Sequence, residues 1–155
     1  MAYWLVKNEV EDYSIDDFKK EKRTLWVGVR NYQARNFLQA MKLGDEVLYY
    51  HSNGDPSGIA GLGKVSKTAI PDPTQFDKKS DYFEKRATQE KPVWFCPELQ
   101  FVEKFNTFLG IPEIRKIKGL ETMKILERGS RLSVTPVTEK EFDHAVRVGR
   151  SSAKP

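Results

Sequence analysis

Residues 45–68 read DEVLYYHSNGDPSGIAGLGKVSKT, and the fold is decided there. Asp45 to Ser52 is an apolar and aromatic run of strand type. Asn53 to Ser57 supplies the Asn, Gly, Asp and Pro of a turn, and Ile59 to Thr68 returns as a second strand. The spacing predicts a β-hairpin. Gly58, Gly61 and Gly63 stand at its returning arm, where glycine marks a bulge, a bend or the close approach of another backbone. Strongly curved sheets use such glycines.

Working outward, Ala2 to Val6 is a buried first strand ending at Lys7. Ser14 and Asp17 have capping-box spacing for a short helix with Ile15 and Phe18 on its apolar face. Trp26 to Val29 is a non-helical link. Asn31 then caps a helix over Tyr32 to Met41, with Ala34, Phe37, Leu38 and Met41 at helical spacing and Gly44 closing it. Residues 70–92, with Pro71, Pro73 and Pro92, read as a long excursion with little core of its own, and Val93 to Lys104 resumes strand character. From Phe108 to Gly129 apolar residues recur at a spacing of three, predicting one or two helices broken near Gly119. Leu132 to Val137 is a last strand. Thr138 and Glu141 cap a terminal helix through Val146. These elements make an α+β fold, a small, mostly antiparallel barrel with flanking helices. A single domain over residues 1–148 with a flexible tail at 149–155 is expected.

The 155 residues suffice for one such core without disulfides or a structural metal. No apolar run approaches the roughly 18 residues of a spanning helix, so a membrane-spanning segment is excluded. The single cysteine, Cys96, cannot form an internal disulfide, and no secretory signal opens the chain, so an intracellular location is expected, cytoplasmic or at the nucleoid in a bacterium and nuclear in a eukaryote; a monomer is expected. The 26 basic and 22 acidic residues balance over the first 75 positions, and the excess of +4 falls in residues 76–155. That asymmetry permits a polyanionic partner.

Gly58, Gly63 and Lys64 imitate the start of a phosphate-binding loop, but Val65 replaces the magnesium-binding hydroxyl and the run alternates as a strand. Cys96 lies in the apolar run after Val93, where cysteine behaves as a small core residue, and no nucleophile elbow surrounds Ser52 beside His51. One cysteine with two distant histidines, His51 and His144, has no metal-ligand spacing. No metal or cofactor is expected. The aromatics are more informative, because Tyr3 and Trp4, like Tyr49 and Tyr50, alternate across a strand, so that one of each pair can line a cavity while the other fills the core. Lys7, Asn8, Asn31, His51, Ser52, Arg131 and Ser133 are interleaved with them, a set able to read a flat heterocycle.

The runs Tyr3-Trp4-Leu5-Val6-Lys7, Glu11-Asp12-Tyr13-Ser14-Ile15, Gly28-Val29-Arg30-Asn31-Tyr32-Gln33-Ala34-Arg35-Asn36, Tyr50-His51-Ser52-Asn53, Pro71-Asp72-Pro73-Thr74-Gln75-Phe76 and Arg131-Leu132-Ser133-Val134-Thr135-Pro136-Val137 resemble, in order, the EVE domain family. The resemblance spans residues 3–142 and implies a PUA-like curved, mostly antiparallel barrel related to YTH and ASCH domains. It implies a non-catalytic module that binds DNA or RNA carrying a modified base, such as methylated or oxidised cytosine, or methylated adenine as in the related YTH domains. Carried over by position, Trp26 is an aromatic wall. Lys7 and Asn8 form the rim, Arg30 and Asn31 the helix entry, and His51, Ser52, Arg131 and Ser133 complete the ligand set. The chain departs from the family pattern at Asn8, Glu9 and Val10 in place of Ser-Glu-Pro, at Val27 in place of Asp, and at Gly54 in place of a frequent Cys. Two other readings remain: a small hydrolase or nuclease using the same cavity, dependent on His51 or Cys96, and an RNA-binding adaptor blind to modification.

Overall fold

The computed structural model describes residues 1–54, 56–127 and 132–151. In chain order its elements are β1 (Tyr3–Glu9), α1 (Ile15–Glu21), β2 (Arg23–Leu25), α2 (Tyr32–Ala40), β3 (Glu46–Ser52), β4 (Gly58–Pro71), β5 (Phe95–Gly110), α3 (Ile111–Lys116), β6 (Val134–Val137) and α4 (Glu139–Arg150). Single 3₁₀ turns lie at Pro73–Phe76 and Lys124–Leu126. The strands form one sheet in the order β2-β5-β4-β3-β1-β6, every neighbouring pair antiparallel except β1 with β3. The α+β, mostly antiparallel class is the expected one. Closure differs: among the described residues no ladder joins β2 to β6, and the sheet ends on these two short strands. Short edges offer little template for unwanted pairing.

The hairpin β3–β4 is the predicted one. Its glycines act through close backbone approach: a Cβ at Gly58 would collide with the Leu109 carbonyl, and one at Gly61 with the Glu103 carbonyl, both on β5. The β4–β5 register shifts at four places and the β3–β4 register once, between Tyr49 and Tyr50. Each irregularity bends the strand pair, which supplies the curvature the glycines announce.

Alternation builds two cores. Trp4 and Val6 of β1 with Val47 and Tyr49 of β3 face α1 and α2, packing on Ile15, Phe18, Trp26, Ala34 and Leu38. Leu5, Leu48 and Tyr50 face the other way, onto Ile114, Leu120, Phe142 and Ala145. Neither Tyr49 nor Tyr50 is left to line a cavity, contrary to the alternation argument, because helices cover both faces of the sheet.

The local signals hold. Ser14 with Asp17 and Thr138 with Glu141 are complete capping boxes, and the Asn31 side chain accepts from the Ala34 N–H at 2.9 Å. Other boundaries move for tertiary reasons. Phe108 to Gly110 remain in β5, paired through Leu109 and Gly110 to Ile59 and Gly58, so the predicted helical stretch starts only at Ile111. Gly119 breaks it at φ +99°, as expected, and Gly129 lies outside the described residues. The terminal helix runs beyond Val146 to Arg150, because the bare Cα of Gly149 packs on the Phe105 ring and Arg150 Nε donates to Glu103 at 2.8 Å. Positions 149 and 150 therefore belong to the fold rather than to a tail. No helix among the described residues is long and apolar enough to cross a membrane.

Gly58→Ala is expected to destabilise by about 1–3 kcal/mol through forced separation of β4 and β5. At Gly44, with φ +87° and open space around its Cα, Ala costs only the left-handed backbone, about 1–2 kcal/mol. Urea unfolding of the two variants checks this, with a change of slope as well as midpoint expected only for the strand position.

Candidate nucleic-acid interface

The parallel β1–β3 pair brings Asn8 opposite His51 and Glu9 opposite Ser52. Alternation then divides the sequence-predicted set. Asn8 and His51 share the face of Val6, Tyr49 and Trp26, while Lys7 and Ser52 share the face of Leu5 and Tyr50. The Lys7 ammonium lies 6.0 Å from the Tyr50 ring centroid, and burial lowers its pKa. Its backbone N–H donates to the Ser133 carbonyl at 2.9 Å, which joins β1 to the approach of β6. Lys7, Ser52 and Ser133 thus sit across the sheet from the aromatic wall. Arg131 lies outside the described residues.

On the Trp26 face, Asn8, Tyr13, Thr24, Leu25, Trp26 and Val27 line a cleft of about 130 Å³. It lies between the end of β1, the start of the α1 segment and the link that leaves β2. Trp26 is itself buried. Its ring meets Tyr49 edge-on, with centroids 5.6 Å apart at 88°, and its backbone N–H donates to the Pro97 carbonyl at 3.0 Å. It therefore serves as both core and wall. The Tyr13 pKa is raised by burial and by the hydrogen bond to Glu21, so the ring keeps its phenolic proton at neutral pH. Val27 is 38% exposed at the rim and presents a branched apolar surface where the family pattern has a carboxylate. Sequence reasoning missed Tyr13, Thr24 and Leu25. Tyr13 was legible, since it stands in a matched block, whereas Thr24 and Leu25 join the cleft only through pairing of β2 with β5.

His51 has structural employment. Its Nε2 accepts from the Ile15 N–H at 2.9 Å, which satisfies one orphan donor at the start of α1. Burial lowers its pKa, and the accepted bond requires the neutral ring with its proton on Nδ1. Arg30 and Asn31 are structural as well. Asn31 caps α2. Arg30 donates from Nη1 to the Val29 carbonyl at 3.0 Å and to buried Asp72 at 3.2 Å, and from Nη2 to Thr74 at 3.0 Å and to the Tyr82 carbonyl at 2.7 Å. That clamp holds residues 72–82 against the link beside the cleft. The excursion also has a core, contrary to expectation: buried Gln75 donates to the Asp72 and Trp94 carbonyls at 2.8 and 2.7 Å and accepts from the Val93 and Trp94 N–H groups.

Little here supports covalent chemistry. Cys96 is fully buried and its thiol is pushed up to about 12, first by burial and then by Asp72. No group of three or more His, Cys, Asp or Glu side chains among the described residues gathers as a metal would require. The loop-like Gly58 to Lys64 run is part of β4, with no helix following to receive phosphate. A larger groove of about 590 Å³ runs along α4, but the two carboxylates of Glu46 and Asp143 balance the guanidinium groups of Arg147 and Arg150 in its lining, and it includes none of the candidate residues.

The family model that matches this chain is the EVE domain, over residues 2–148. Human thymocyte nuclear protein 1 is 41% identical over 161 residues, covering 92% of this chain and 71% of that protein. Among solved structures, a protein of Pseudomonas syringae is 44% identical with a TM-score of 0.89, covering 95% of this chain and 99% of that one. The human THYN1 protein in complex with DNA containing 5-methylcytosine is 37% identical with a TM-score of 0.90, covering 99% of this chain and all of that one.

Two outcomes follow from the buried titratable groups. Between its lowered folded value and about 6.5, His51 binds more protons in the unfolded chain. The stability it contributes is complete above about pH 6.5 and is lost as pH falls through that window. Urea midpoints should decline from pH 7 to pH 5, and less steeply in His51→Gln. Cys96 should resist alkylation at pH 8 in the native protein and react at once in denaturant, as a timed thiol-labelling assay would read.

Proposed function

This chain belongs to the EVE domain family, and on that footing we propose that it is a non-catalytic module that receives a modified cytosine of DNA, 5-methylcytosine in the first instance, in the cleft beside Trp26. The observation that carries the proposal is the composition of that cleft. One aromatic wall, one side-chain amide, two hydroxyls and two branched apolar side chains meet in a space of about 130 Å³. That is well under the roughly 300–1,000 Å³ of a drug-sized pocket and suits a single pyrimidine ring. The human relative solved with 5-methylcytosine DNA supports the choice of ligand.

The chemistry follows from the donors present. A base turned out of its stack rests against Trp26, a contact worth about 1–3 kcal/mol. The Asn8 amide offers a donor and an acceptor to the pyrimidine edge, and the Tyr13 phenolic oxygen, whose proton is donated to Glu21, offers an acceptor. Val27 and Leu25 give a methyl group an apolar surface, and Val27 removes a carboxylate that would otherwise accept from the exocyclic amine. Burying one methyl is worth about 0.8 kcal/mol, or about fourfold in affinity. Discrimination by edge is larger, because a base with the wrong donor pattern leaves a buried polar group unpaired at about 1–3 kcal/mol.

A competition assay with short DNA strands carrying 5-methylcytosine, cytosine or thymine at one position, at two salt concentrations, tests the reading. The expected order is 5-methylcytosine above cytosine by about fourfold, with thymine weaker than cytosine. Asn8→Ala should compress the cytosine–thymine difference. Trp26→Phe, chosen because truncating this core residue to Ala costs about 3–5 kcal/mol of stability, should weaken all three. Equal affinity for the three strands would overturn base recognition and leave a module blind to modification.

A further inference from the structure

Beside the Trp26–Arg30 link, rings and guanidinium groups alternate on a surface that neither the cleft nor the two cores require. Tyr32, Tyr82 and Phe83 are 49%, 44% and 40% exposed. Single exposed aromatics are ordinary, but Tyr32 and Tyr82 belong to one network. Tyr32 stacks on buried Trp94 with centroids 4.9 Å apart and planes at 25°. The Arg30 guanidinium lies 5.2 Å from the Trp94 ring and 5.4 Å from the Tyr82 ring. The Tyr32 hydroxyl accepts from Arg86 Nη2 at 2.9 Å, and Arg86 pairs with Glu84, which also accepts from the Trp94 indole at 3.0 Å. An exposed ring held this way loses little freedom when something stacks on it.

The position of Arg35 shows which side of that ring is free. Its guanidinium lies 4.8 Å from the Tyr32 centroid and 5.9 Å from the Trp94 centroid. On the side of Tyr32 opposite Trp94 it would stand nearly the sum of the two Tyr32 separations from Trp94, so it sits at the flank and does not cover the outer side of the ring, which is where the exposure of Tyr32 remains. Arg35 is also electrically incomplete. Arg30 has Asp72 and Arg86 has Glu84, but among the described residues no carboxylate pairs with Arg35. Nη1 donates to the Val93 carbonyl at 2.9 Å, Nη2 reaches Asn36 at 3.3 Å, and buried Nε has no acceptor. A half-buried guanidinium without an anion, beside an open aromatic face, is complementary to a nucleotide.

We propose that Tyr32 and Arg35 form a second nucleotide seat, in which an unpaired base of a DNA strand stacks on the outer face of Tyr32 and its phosphate lies against the Arg35 guanidinium. Val27 at the cleft rim is five residues upstream, so the seat lies within about 18 Å of it, a reach suited to a neighbouring nucleotide of the same strand. That adjacency rests on the base-recognition reading, whereas the seat itself does not. Its stacking is indifferent to base identity, since every base has a π-face.

The test uses a short single-stranded DNA with one 5-methylcytosine and its unmodified counterpart. Tyr32→Ala is expected to weaken both by roughly tenfold and to leave their ratio unchanged. Arg35→Gln should lower the salt dependence by about one phosphate contact. In the wild-type protein, where no question of folding arises, the Tyr32 ring resonances should shift upfield on titration with the unmodified strand. Unshifted ring resonances, unchanged affinity in Tyr32→Ala, or a change in the ratio alone would overturn the seat. A wild-type ratio of one, with Tyr32→Ala still weaker, would retain the seat and remove base recognition.

Discussion

Burial of β3 on both faces is the constraint from which the rest of the molecule follows. Every residue from Val47 to His51 is buried, and in a strand that demands cover on two sides at once. Helices α1 and α2 supply one side and α3 and α4 the other, so Tyr49 and Tyr50 enter different cores although they are adjacent in the chain. Side chains of this central pair of strands can then meet solvent only toward the strand ends. Because β1 and β3 are parallel, their carboxyl ends coincide, and Asn8 reaches the cleft beside the link from β2 with buried His51 opposite it. A crevice at the carboxyl ends of parallel strands is a common place for ligands in open sheets, for the same reason.

A buried carboxylate organises the ground beside that crevice. Asp72 is 1% exposed and accepts from the Gly28 N–H at 2.8 Å, from Arg30 at 3.2 Å, and from the Thr74 N–H at 2.8 Å. These bonds tie an irregular excursion to the link that carries Trp26 and Val27. Buried ion pairs add little net stability compared with apolar packing, and their use is to select one arrangement among several. Here the selected arrangement sets the link beside the cleft and stands Trp94 under Tyr32. The cleft wall and the exposed ring face are therefore two consequences of one anchored segment.

The chain announces its caps and turns because each is closed within three or four residues. Ser14 with Asp17, Asn31 with the Ala34 N–H, and Thr138 with Glu141 are complete hydrogen-bonded units whose partners lie within one helical turn. The hairpin and its glycines were legible for the same reason. Strand β2, three residues long, was not: nothing in Arg23-Thr24-Leu25 signals a strand until Gln100, Leu99 and Glu98 pair with it. The end of β5 was hidden likewise, since Phe108 to Gly110 fit a helical spacing and are held extended by Ile59 and Gly58.

The candidate site divides along the same line. The resemblance brought forward Asn8 and Trp26, which stand just outside the matched blocks and do line the cleft, and it also brought forward Lys7 and Ser52, which alternation turns to the opposite face. Arg30, Asn31 and His51 have residue types suited to a ligand, yet each has a structural partner in Asp72, the Ala34 N–H or the Ile15 N–H. Residue type and local order, including family membership, were readable along the chain because they depend on neighbours a few positions away. Which polar groups stay free to meet a base depends on partners up to several tens of residues distant, and only packing brings those together.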